Sequence, residues 1–563
     1  MVRRLWSMVN KIKGRSPDEL RVRLGQALAA YGERSGWSSQ AHLPSDGAFF
    51  RLLDRAQLSG GVLSPEALLA HFRGRSTPSF FVAFEDPKKT VAALRQRFGP
   101  QAEQHVLERA RRICAGRFDL LGLHELQFGD PIDWQLEPVA GKRGPRVHWS
   151  RINYLDAAQV GDNKIVWELN RHQHFLTLGR AYWYTGDERF AETFAAHLTG
   201  WMEQNLPKLG INWASSLEIA FRAISWLWSF YFFRESPHLT PHLWMTVLKF
   251  LYLHARHLET YLSTYFSPNT HLTGEALGLY YLGTLLPEFR RARGWRATGR
   301  EILLRELQRR HIRADGVYFE QSSYYHRYTL DFCAHFHTLA QRNGEPAELG
   351  FLEKYAALLD HLMVLTRPDG RTPLFGDDDG GRFLPLDDRD VNDFRAALAT
   401  GAVLFARPDY KAVAEAPAEE TLWLLGEEGQ QTFDRLDAQP PQSTSRDFPE
   451  GGYYVMRDGW ERTSHYLLVD CGPHGFFNCG HAHADVLSFE LAAHGRSLLV
   501  DPGTYTYTGS ASARDWFRSS AAHNVLTIDG ESSSAPGGTF SWKAVARAQA
   551  VSWRNHNRFD FFS

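Results

Sequence analysis

The sequence predicts a multidomain α+β protein, in which a helical array of the α/α-toroid type is followed by an antiparallel β-sheet domain. Three observations predict this class. The chain has 563 residues, more than the roughly 250–300 at which a single core stops growing. Its middle part shows helical spacing of apolar residues, and its last part shows short alternating runs. We therefore divide the chain into an N-terminal segment, a toroid and a β-sheet domain, at residues 1–110, 111–435 and 436–563.

The N-terminal segment mixes short amphipathic pieces with loops, and we expect it to pack against the toroid. Its first residues are basic but lack the apolar run of about 7–15 residues that a signal peptide needs, because Asn10, Lys11 and Lys13 interrupt it. No window of the chain approaches the roughly 20 apolar residues that span a bilayer. The sequence therefore predicts a soluble chain without a recognisable export signal or membrane span.

The predicted toroid is a succession of helical patterns separated by short Gly, Pro, Asn and Asp breaks. Short connections make neighbouring helices antiparallel, so the pattern indicates stacked helical hairpins. No strict period is visible, which argues against a repeat solenoid and leaves an irregular helical superhelix as the alternative. The predicted helices are 166–184, 187–204, 213–233, 241–262, 271–286, 294–312, 321–342 and 350–366.

The β-sheet domain follows a polar linker, QPPQSTSRDFPEGG. Runs of β-branched and aromatic residues, bounded by Gly, Asp and Pro, are typical of antiparallel strands. The predicted strand-bearing runs are 452–458, 464–472, 485–495, 497–503, 523–530 and 548–562.

Composition excludes several classes of protein. The 63 Lys and Arg balance 64 Asp and Glu, so the net charge of −1 argues against nucleic acid or an anionic membrane surface as a partner. The four cysteines form no C-x-x-C pair and are too few for a disulfide framework. The 37 Phe, 21 Tyr and 17 Trp are enough to supply platforms for sugar rings, although most will fill cores.

The segment NCGHAHAD, residues 478–485, is the sharpest local motif. On an extended backbone His481 and His483 face the same side and can address one site, although a lone H-x-H is more often a pair of surface histidines. Asp501 and His523, each at the edge of a predicted strand, strengthen the motif. Imidazole and carboxylate donors together suit Zn²⁺, with Ca²⁺ or Mn²⁺ less natural.

Two helix starts carry further chemistry. In SPNTHL, Asn269 or Thr270 can cap a helix, but an amide and the His271 imidazole at a helix N-terminus also suit a carboxylate clamp. In DGVYFEQSSYYHRY, aromatic packing explains one or two tyrosines, but it leaves Glu320 and the adjacent His326 and Arg327 unexplained. Both interpretations of this second segment, aromatic packing and a functional site, therefore remain open.

Two helices look like walls of a sugar site, because polar side chains at i, i+3 and i+4 lie beside tryptophans. Surface ion pairing is the alternative interpretation. The residues that we predict to bind substrate here are Glu168, Arg171, His172, Asn212, Trp213, Glu218 and Arg222.

From Trp149 onward the chain resembles the heparinase II/III polysaccharide lyases, which include heparan-sulfate lyases and oligoalginate lyases. The resemblance rests, in order, on WELNRHQHFLTLGRAYWYTGDERF, NTHLTGEALGLYYLG, DGVYFEQSSYYHRY, GHAHADVLSFEL, DPGTYTY and AHNVL. The early SPDELRVRLGQAL is similar to members from bacterial exopolysaccharide gene neighbourhoods. The resemblance implies an incomplete α/α toroid followed by antiparallel β-sheets.

It also implies β-elimination on an acidic, uronic-acid-containing polysaccharide. Asn269 and His271 then neutralise the uronate carboxylate, Tyr325 protonates the leaving O4, and His481 acts as base on the opposite face of the sugar. Because the tyrosine is doubled, Tyr324 is the alternative acid. Several members have Asn directly before the histidine, where this chain has Thr270; if Asn269 cannot reach the carboxylate, His271 and an arginine, Arg222 or Arg327, must neutralise it.

By the same resemblance His483, Asp501 and His523 bind a structural divalent metal, Zn²⁺ with Ca²⁺ or Mn²⁺ as alternatives. Glu320, Tyr324, Arg327 and Tyr505 join the predicted substrate-binding residues. The family implies the periplasm or cell envelope, but because no signal peptide is recognisable the cytoplasm is the alternative. The β-region of about 120 residues is short for the family, so we expect a truncated C-terminus.

Two other functions remain as hypotheses. One is a toroid glycoside hydrolase that uses paired carboxylates from Asp377, Asp378, Asp379 and Glu320. The other is a non-catalytic glycan-binding protein of exopolysaccharide biosynthesis. For the lyase, the near-zero net charge favours a polymer with little or no sulfation.

Overall fold

Helices predominate up to Arg435 and strands after it in the computed structural model, which describes residues 14–58, 63–556 and 558–563. This order confirms the predicted succession of a helical array and a sheet. The α-helices are Pro17–Arg34, Asp46–Leu52, Pro65–Gly74, Pro87–Cys114, Ala157–Val160, Asn163–Asn170, His174–Thr185, Glu188–Gln204, Ser216–Phe233, Pro241–Thr260, Thr270–Leu285, Ala292–Glu306, Ser323–Arg342, Leu349–Leu365, Arg395–Phe405, Pro408–Ala414, Glu419–Arg435 and Ala511–Phe517.

Two helices form the centre of the array and are buried along almost their whole length, Ser216–Phe233 and Thr270–Leu285. They approach closely because Gly278 has no side chain; a Cβ there would lie 2.6 Å from Cβ of Ala220. A helix that is apolar all round belongs in a core. The polar starts of such helices therefore lie where the core meets solvent, which is where a site can form.

One predicted helix, 166–184, is two. It breaks between Asn163–Asn170 and His174–Thr185, and His172 has a left-handed φ of 59° at the break. A left-handed residue ends a helix because its Cβ crowds the following carbonyl. The other predicted helices each match one observed helix within a few residues, and the segment 294–312 ends in a π-helical turn, Leu307–His311.

The N-terminal segment packs on the helical array. Phe49, Phe72 and Phe81 are buried in the same core as the central helices. The helix Pro87–Cys114 runs through the boundary that the sequence places at residue 110. In the described residues, no helix combines the length and apolar character that crossing a bilayer requires.

The main sheet has five antiparallel strands, each paired with the next along the chain, from Arg446–Phe448 to Arg496–Leu499. Pairs such as Tyr453 with Asp470 and Leu467 with Leu491 fix its register. The strands of the chain are β1 Arg117–Leu120, β2 Leu123–Gln127, β3 Leu136–Glu137, β4 Lys142–Arg143, β5 Arg446–Phe448, β6 Tyr453–Arg457, β7 Tyr466–Asp470, β8 Phe489–Ala493, β9 Arg496–Leu499, β10 Ala535–Gly538, β11 Ser541–Ala544, β12 Trp553–His556 and β13 Phe559–Phe562.

Two strand predictions were wrong. The predicted linker contains β5, because Phe448 is buried against the helical array. The run 523–530 forms only an isolated bridge between Ile528 and Glu531, since its apolar side chains face solvent instead of a core.

The sheet packs directly on the helical array. The rings of Tyr453 and Phe375 lie 4.4 Å apart between centroids, and the Tyr466 hydroxyl donates to the Leu365 carbonyl over 3.0 Å. One apolar core therefore continues through both parts. It holds the loops of the sheet domain at a fixed position over the ends of the helices.

Candidate active site

A cleft of about 630 Å³ lies where the helical array meets the sheet domain. Its walls come from helix starts on one side and from the loops after β7 and β9 on the other. Of the residues predicted from sequence for catalysis or substrate binding, those lining the cleft are Arg171, Glu218, Asn269, His271, Glu320, Tyr325 and His481.

The start of the helix Thr270–Leu285 supplies Asn269 and His271. Asn269 caps the helix, since its Oδ1 accepts the His271 backbone N–H over 3.1 Å. Its amide also donates to Glu320 Oε2 over 2.7 Å, so the side chain that caps the helix also binds a carboxylate of the chain itself. Glu320 accepts the Thr270 N–H over 3.0 Å as well, which places a carboxylate at a helix N-terminus, where negative charge is favoured. Burial lowers the pKa of His271 to about 4, so its imidazole is neutral at pH 7.

The two adjacent tyrosines face different ways at the start of the helix Ser323–Arg342. Tyr325 lines the cleft, with its ring 4.1 Å from the His481 ring between centroids. Its hydroxyl lies 3.1 Å from that of Tyr507, and burial raises the pKa of Tyr325 well above its usual range. Tyr324 points away and donates to Asn392 Oδ1 over 3.1 Å. The geometry therefore places Tyr325, and not Tyr324, in the cleft.

His481 is oriented by Asp377. Its Nδ1 lies 2.9 Å from Asp377 Oδ2, and its Nε2 lies 3.6 Å from Glu320 Oε2. Asp377 is fully buried and is also bound by the Arg514 guanidinium. Burial raises the pKa of Asp377, but Arg514 and the two histidines outweigh it and hold that pKa well below its usual range.

The segment that carries Asp377 comes this close because of Gly376. This residue has a left-handed φ of 64°, and a Cβ on it would lie 2.3 Å from the Gln321 carbonyl oxygen. A larger residue would push the segment away from the start of the helix Ser323–Arg342.

A second polar cluster lies behind His481. The donor atoms of His483, Asp485, Asp501 and His523 all lie within 4.8 Å of one another. His483 Nδ1 is 3.2 Å from His523 Nε2, which is 3.4 Å from Asp501 Oδ2. Burial and the charge of Asp485 raise the pKa of Asp501 well above its usual range. Two imidazoles and two buried carboxylates fit a divalent cation, because the cation would offset the cost of burying the acids.

The sequence placed Asp501 and His523 at the edges of predicted strands, and the structure instead has all four donors in loops: before β8, after β9 and after the turn Ser520–Ala522. Asp485 belongs to the cluster although it was left out of the predicted set; its position two residues after His483 is the signal that could have found it.

Four predicted substrate-binding residues lie in the helical core and not in the cleft: His172, Asn212, Trp213 and Arg222. His172 accepts a hydrogen bond from Trp226 Nε1 over 2.7 Å, because the helix break turns it inward. Arg222 donates to the Asn212 carbonyl over 2.9 Å, and Asn212 donates to the Trp134 carbonyl over 3.0 Å. The side chains of Arg222 and Asn212 therefore bind backbone carbonyls of the interior.

The remaining predicted residues also lie off the lining. Glu168 stands behind it in ion pairs, Arg327 binds Asp331 over 2.8 Å, and Tyr505 stacks on Phe517 outside the cleft. Tyr324 points away from the cleft and binds Asn392. Neither arginine considered as a substitute for Asn269 lines the cleft.

Sequence reasoning missed several cleft residues. In DPGTYTY it chose Tyr505, whereas Tyr507 faces the cleft. Asp377 was considered only as a hydrolase carboxylate, but a fully buried acid bound to an arginine cannot attack a sugar. Asp379, which was likewise considered only as a hydrolase carboxylate, lines the cleft and lies 2.9 Å from Lys164 Nζ.

A helical array joined to an antiparallel sheet, with a polar cleft at the junction, defines a two-domain protein of the incomplete α/α-toroid class. The family model described as Heparinase II/III N-terminus matches residues 63–382, and that described as Heparinase II/III-like, C-terminal, matches residues 440–560. The chain belongs to the heparinase II/III family. The predicted family is thereby confirmed.

Curated relatives include a heparin-sulfate lyase of Pedobacter heparinus, 25% identical over 513 residues, covering 88% of this chain and 66% of the relative. A heparin-sulfate lyase of Bacteroides stercoris is 25% identical over 495 residues, covering 82% and 64%. An alginate lyase of Stenotrophomonas maltophilia is 25% identical over 236 residues, covering 38% and 30%. The chain thus spans less than two thirds of the length of these relatives.

Solved structures show the same fold. The crystal structure of heparinase III superposes with a TM-score of 0.64 at 21% identity, covering 87% of this chain and 69% of that one. Heparan sulfate lyase HepC from Pedobacter heparinus gives 0.53 at 24% identity, covering 88% and 69%. These likenesses confirm the predicted fold class, an incomplete α/α toroid followed by antiparallel sheet.

Proposed function

We propose that the protein is a polysaccharide lyase that cleaves a uronic-acid-containing polysaccharide by β-elimination. The observation that carries the proposal is that Asn269, His271, Tyr325 and His481, from three separate parts of the chain, line one cleft. The names of the relatives, heparin-sulfate lyase and alginate lyase, support it.

The reaction makes defined demands on the site. The C5–H bond of the uronate breaks, its electron pair forms the C4–C5 double bond, and the C4–O4 bond breaks as O4 takes up a proton. Negative charge develops on the carboxylate while the C5 proton leaves, so the site must stabilise that charge. It also needs one base and one acid within reach of the sugar.

His481 is the proposed base and Tyr325 the proposed acid. Asp377 occupies Nδ1 of His481, which leaves Nε2 to accept the C5 proton. The raised pKa of Tyr325 keeps its hydroxyl protonated, which suits a group that donates to O4. The neighbouring Tyr507 hydroxyl, 3.1 Å away, orients it.

Asn269 and His271 are the proposed partners of the carboxylate. The Asn269 amide now donates to Glu320, so a substrate carboxylate competes with Glu320 for it. The neutral His271 imidazole carries one N–H that it can donate. The developing charge is then stabilised by hydrogen bonds and the helix N-terminus, without a free arginine.

We also propose that His483, Asp501 and His523, with Asp485, hold a structural divalent metal, and the mixed imidazole and carboxylate set favours Zn²⁺ over Ca²⁺ or Mn²⁺. When bound, such an ion would fix the loops that carry it. Asp377 contacts both His483 and His481, so the cluster and the proposed base share one anchor.

An acidic polysaccharide is the proposed partner. Because such polymers lie outside the cytoplasm, the proposed place of action is the periplasm or cell envelope, on exopolysaccharide or imported glycan.

The test is Tyr325→Phe, with Tyr324→Phe as the matched control one residue away. We expect Tyr325→Phe to lower the rate of formation of ultraviolet-absorbing unsaturated product by about 10²-fold or more, since it removes the acid. Tyr324→Phe should keep most of that rate, because its hydroxyl binds Asn392 outside the cleft.

Uronic-acid polymers with and without sulfate serve as substrates. New reducing ends without unsaturation would point to a hydrolase instead. Binding without any cleavage, unchanged in Tyr325→Phe and His481→Ala, would point to a glycan-binding protein.

A further inference from the structure

The cations that line the cleft are already paired with carboxylates. Arg171, which is 2% exposed, donates to both carboxylate oxygens of Glu218 over 2.6 and 2.9 Å and lies 2.8 Å from Glu168. Lys164 Nζ lies 2.9 Å from Asp379 and 3.4 Å from Glu168. Both cations therefore have their charge offset before any substrate arrives.

The third cation of the lining is Arg23, on the helix Pro17–Arg34. Its Nε donates to Glu19 over 2.7 Å and its Nη2 to the Tyr265 carbonyl over 2.8 Å. No other described lysine or arginine lines the cleft. Within the described residues, the cleft thus offers no cation without a carboxylate partner.

An unpaired cation would favour a sulfate group. Sulfates carry permanent charge, and arginine and lysine side chains are the partners that proteins favour for oxyanions of this kind. To bind one here, Arg171 or Lys164 would have to leave a buried carboxylate, and a buried carboxylate without its partner is strongly destabilising. Arg23 would have to give up its contacts with Glu19 and the Tyr265 carbonyl. The acids Glu218 and Asp379 are the partners of these two cations, and Glu320, which also lines the cleft, disfavours a further anion beyond the uronate carboxylate.

The cleft offers aromatic faces instead. Phe266, in the loop before the helix Thr270–Leu285, is 69% exposed, and Phe477, in the loop after β7, is 71% exposed. Phe476 beside it is 48% exposed, and all three line the cleft. Exposed rings grouped at a cleft mark a binding surface, and the C–H faces of sugar rings stack on them.

From these contacts we propose that the cleft takes an unsulfated uronic-acid polymer and discriminates against its sulfated counterpart. The uronate carboxylate is then the only anion of the repeating unit, and it is the one that Asn269 and His271 meet. The sugar rings on either side are held by Phe266 and Phe477. This inference rests on the proposed lyase function.

The test compares two polymers with the same backbone, an unsulfated glucuronate and N-acetylglucosamine chain and its sulfated form. We expect kcat/KM for unsaturated product to be at least about 10-fold higher on the unsulfated chain. Equal rates, or a faster rate on the sulfated chain, would overturn the inference while leaving the lyase function intact.

Binding measurements distinguish a failure of the proposed lyase function from a failure of the proposed preference for the unsulfated chain. The affinity of Tyr325→Phe for both polymers, measured by calorimetry, should favour the unsulfated chain by a similar factor. If no uronic-acid polymer yields unsaturated product, the lyase function fails, and the two affinities still decide the preference of the cleft. Equal affinities would then overturn the inference as well.

Two variants test which side chains of the cleft produce the preference for the unsulfated chain. Asp379→Asn removes the carboxylate beside Lys164, so the rate on the sulfated chain should rise several-fold relative to the unsulfated one.

Phe477→Ala should raise KM about 10-fold on the unsulfated chain and change kcat far less. The control is Phe561→Ala, an exposed ring on β13 outside the cleft, which should leave both constants unchanged. An unchanged KM in Phe477→Ala, or an unchanged sulfated-to-unsulfated rate ratio in Asp379→Asn, would contradict the proposed recognition.

Discussion

Asp377 is the residue on which the arrangement of the cleft depends. One buried carboxylate contacts His481, His483 and Arg514, and through them it joins the proposed base to the proposed metal ligands. The ion pair with Arg514 keeps Asp377 charged in the interior, where an unpaired carboxylate would take up a proton. The charged Asp377 therefore fixes the orientation of the His481 ring in the cleft.

Glu275 gives a test at the same scale through pH. Burial raises its pKa to about 8 from 4.5, and it accepts hydrogen bonds from the Ser263 N–H and hydroxyl over 2.7 and 2.6 Å. In the folded chain it stays protonated up to about pH 8, whereas in the unfolded chain it ionises above 4.5. Its contribution to stability is thus complete below pH 4.5 and is lost between 4.5 and 8.

We therefore expect Glu275→Gln to gain stability relative to the wild type as pH rises from about 4.5 to 8, by up to about 1.4 kcal/mol per pH unit, with no further change above 8. Denaturant unfolding at a series of pH values measures this. Glu203→Gln, at an exposed acid, is the control and should follow the wild type. A constant difference across that range would contradict the burial of an uncharged Glu275.

At the scale of elements, the helix Pro17–Arg34 forms one wall of the cleft. Arg23 and Gln26 donate to the Tyr265 and Leu262 carbonyls over 2.8 and 3.1 Å. At its end Glu33 is buried against Lys208, 3.1 Å away. Burial lowers the pKa of Lys208 to about 8, and Glu33 opposes that shift.

Glu33→Gln should therefore destabilise the protein by about 3–5 kcal/mol, because it leaves Lys208 buried without its partner. Thermal and urea unfolding measure the loss. Arg189→Gln breaks an exposed pair with Asp187 and should cost less than about 1 kcal/mol. A similarly small loss for Glu33→Gln would mean that the helix is not anchored by this pair.

At the scale of the whole molecule, the cleft exists only because two domains meet. Asn269 and Tyr325 come from the helical array, and His481 and Tyr507 from the sheet domain, across a continuous core. Anything that loosens the loops of the sheet domain should therefore disturb the cleft without unfolding the array.

Metal content tests this directly. We expect about one divalent metal per chain by elemental analysis, and a melting temperature that falls when a chelator removes it, since an ion bound only to the folded state stabilises it. His523→Ala should lose the metal and show the lower melting temperature without chelator. His465→Ala, at an exposed histidine directly before β7, is the control. A metal-free protein whose melting temperature ignores chelator would contradict the site.

The sequence by itself determined the order of helices and strands and the segments that carry the chemistry. Helical spacing, capping residues and strand alternation act within a few residues, so they can be read without knowing the fold. Asn269 at a helix start and His481 in its H-x-H motif were found in this way, and both line the cleft.

Only the tertiary structure decided which of two adjacent residues in the sequence faces the cleft. One step along a helix turns a side chain by about 100°, which separates Tyr325 from Tyr324, and the left-handed backbone at His172 turns that residue into the core. The pairing of Asp377 with His481 and Arg514 joins residues more than a hundred positions apart. No local pattern encodes such a contact, because it arises from the packing of one domain against the other.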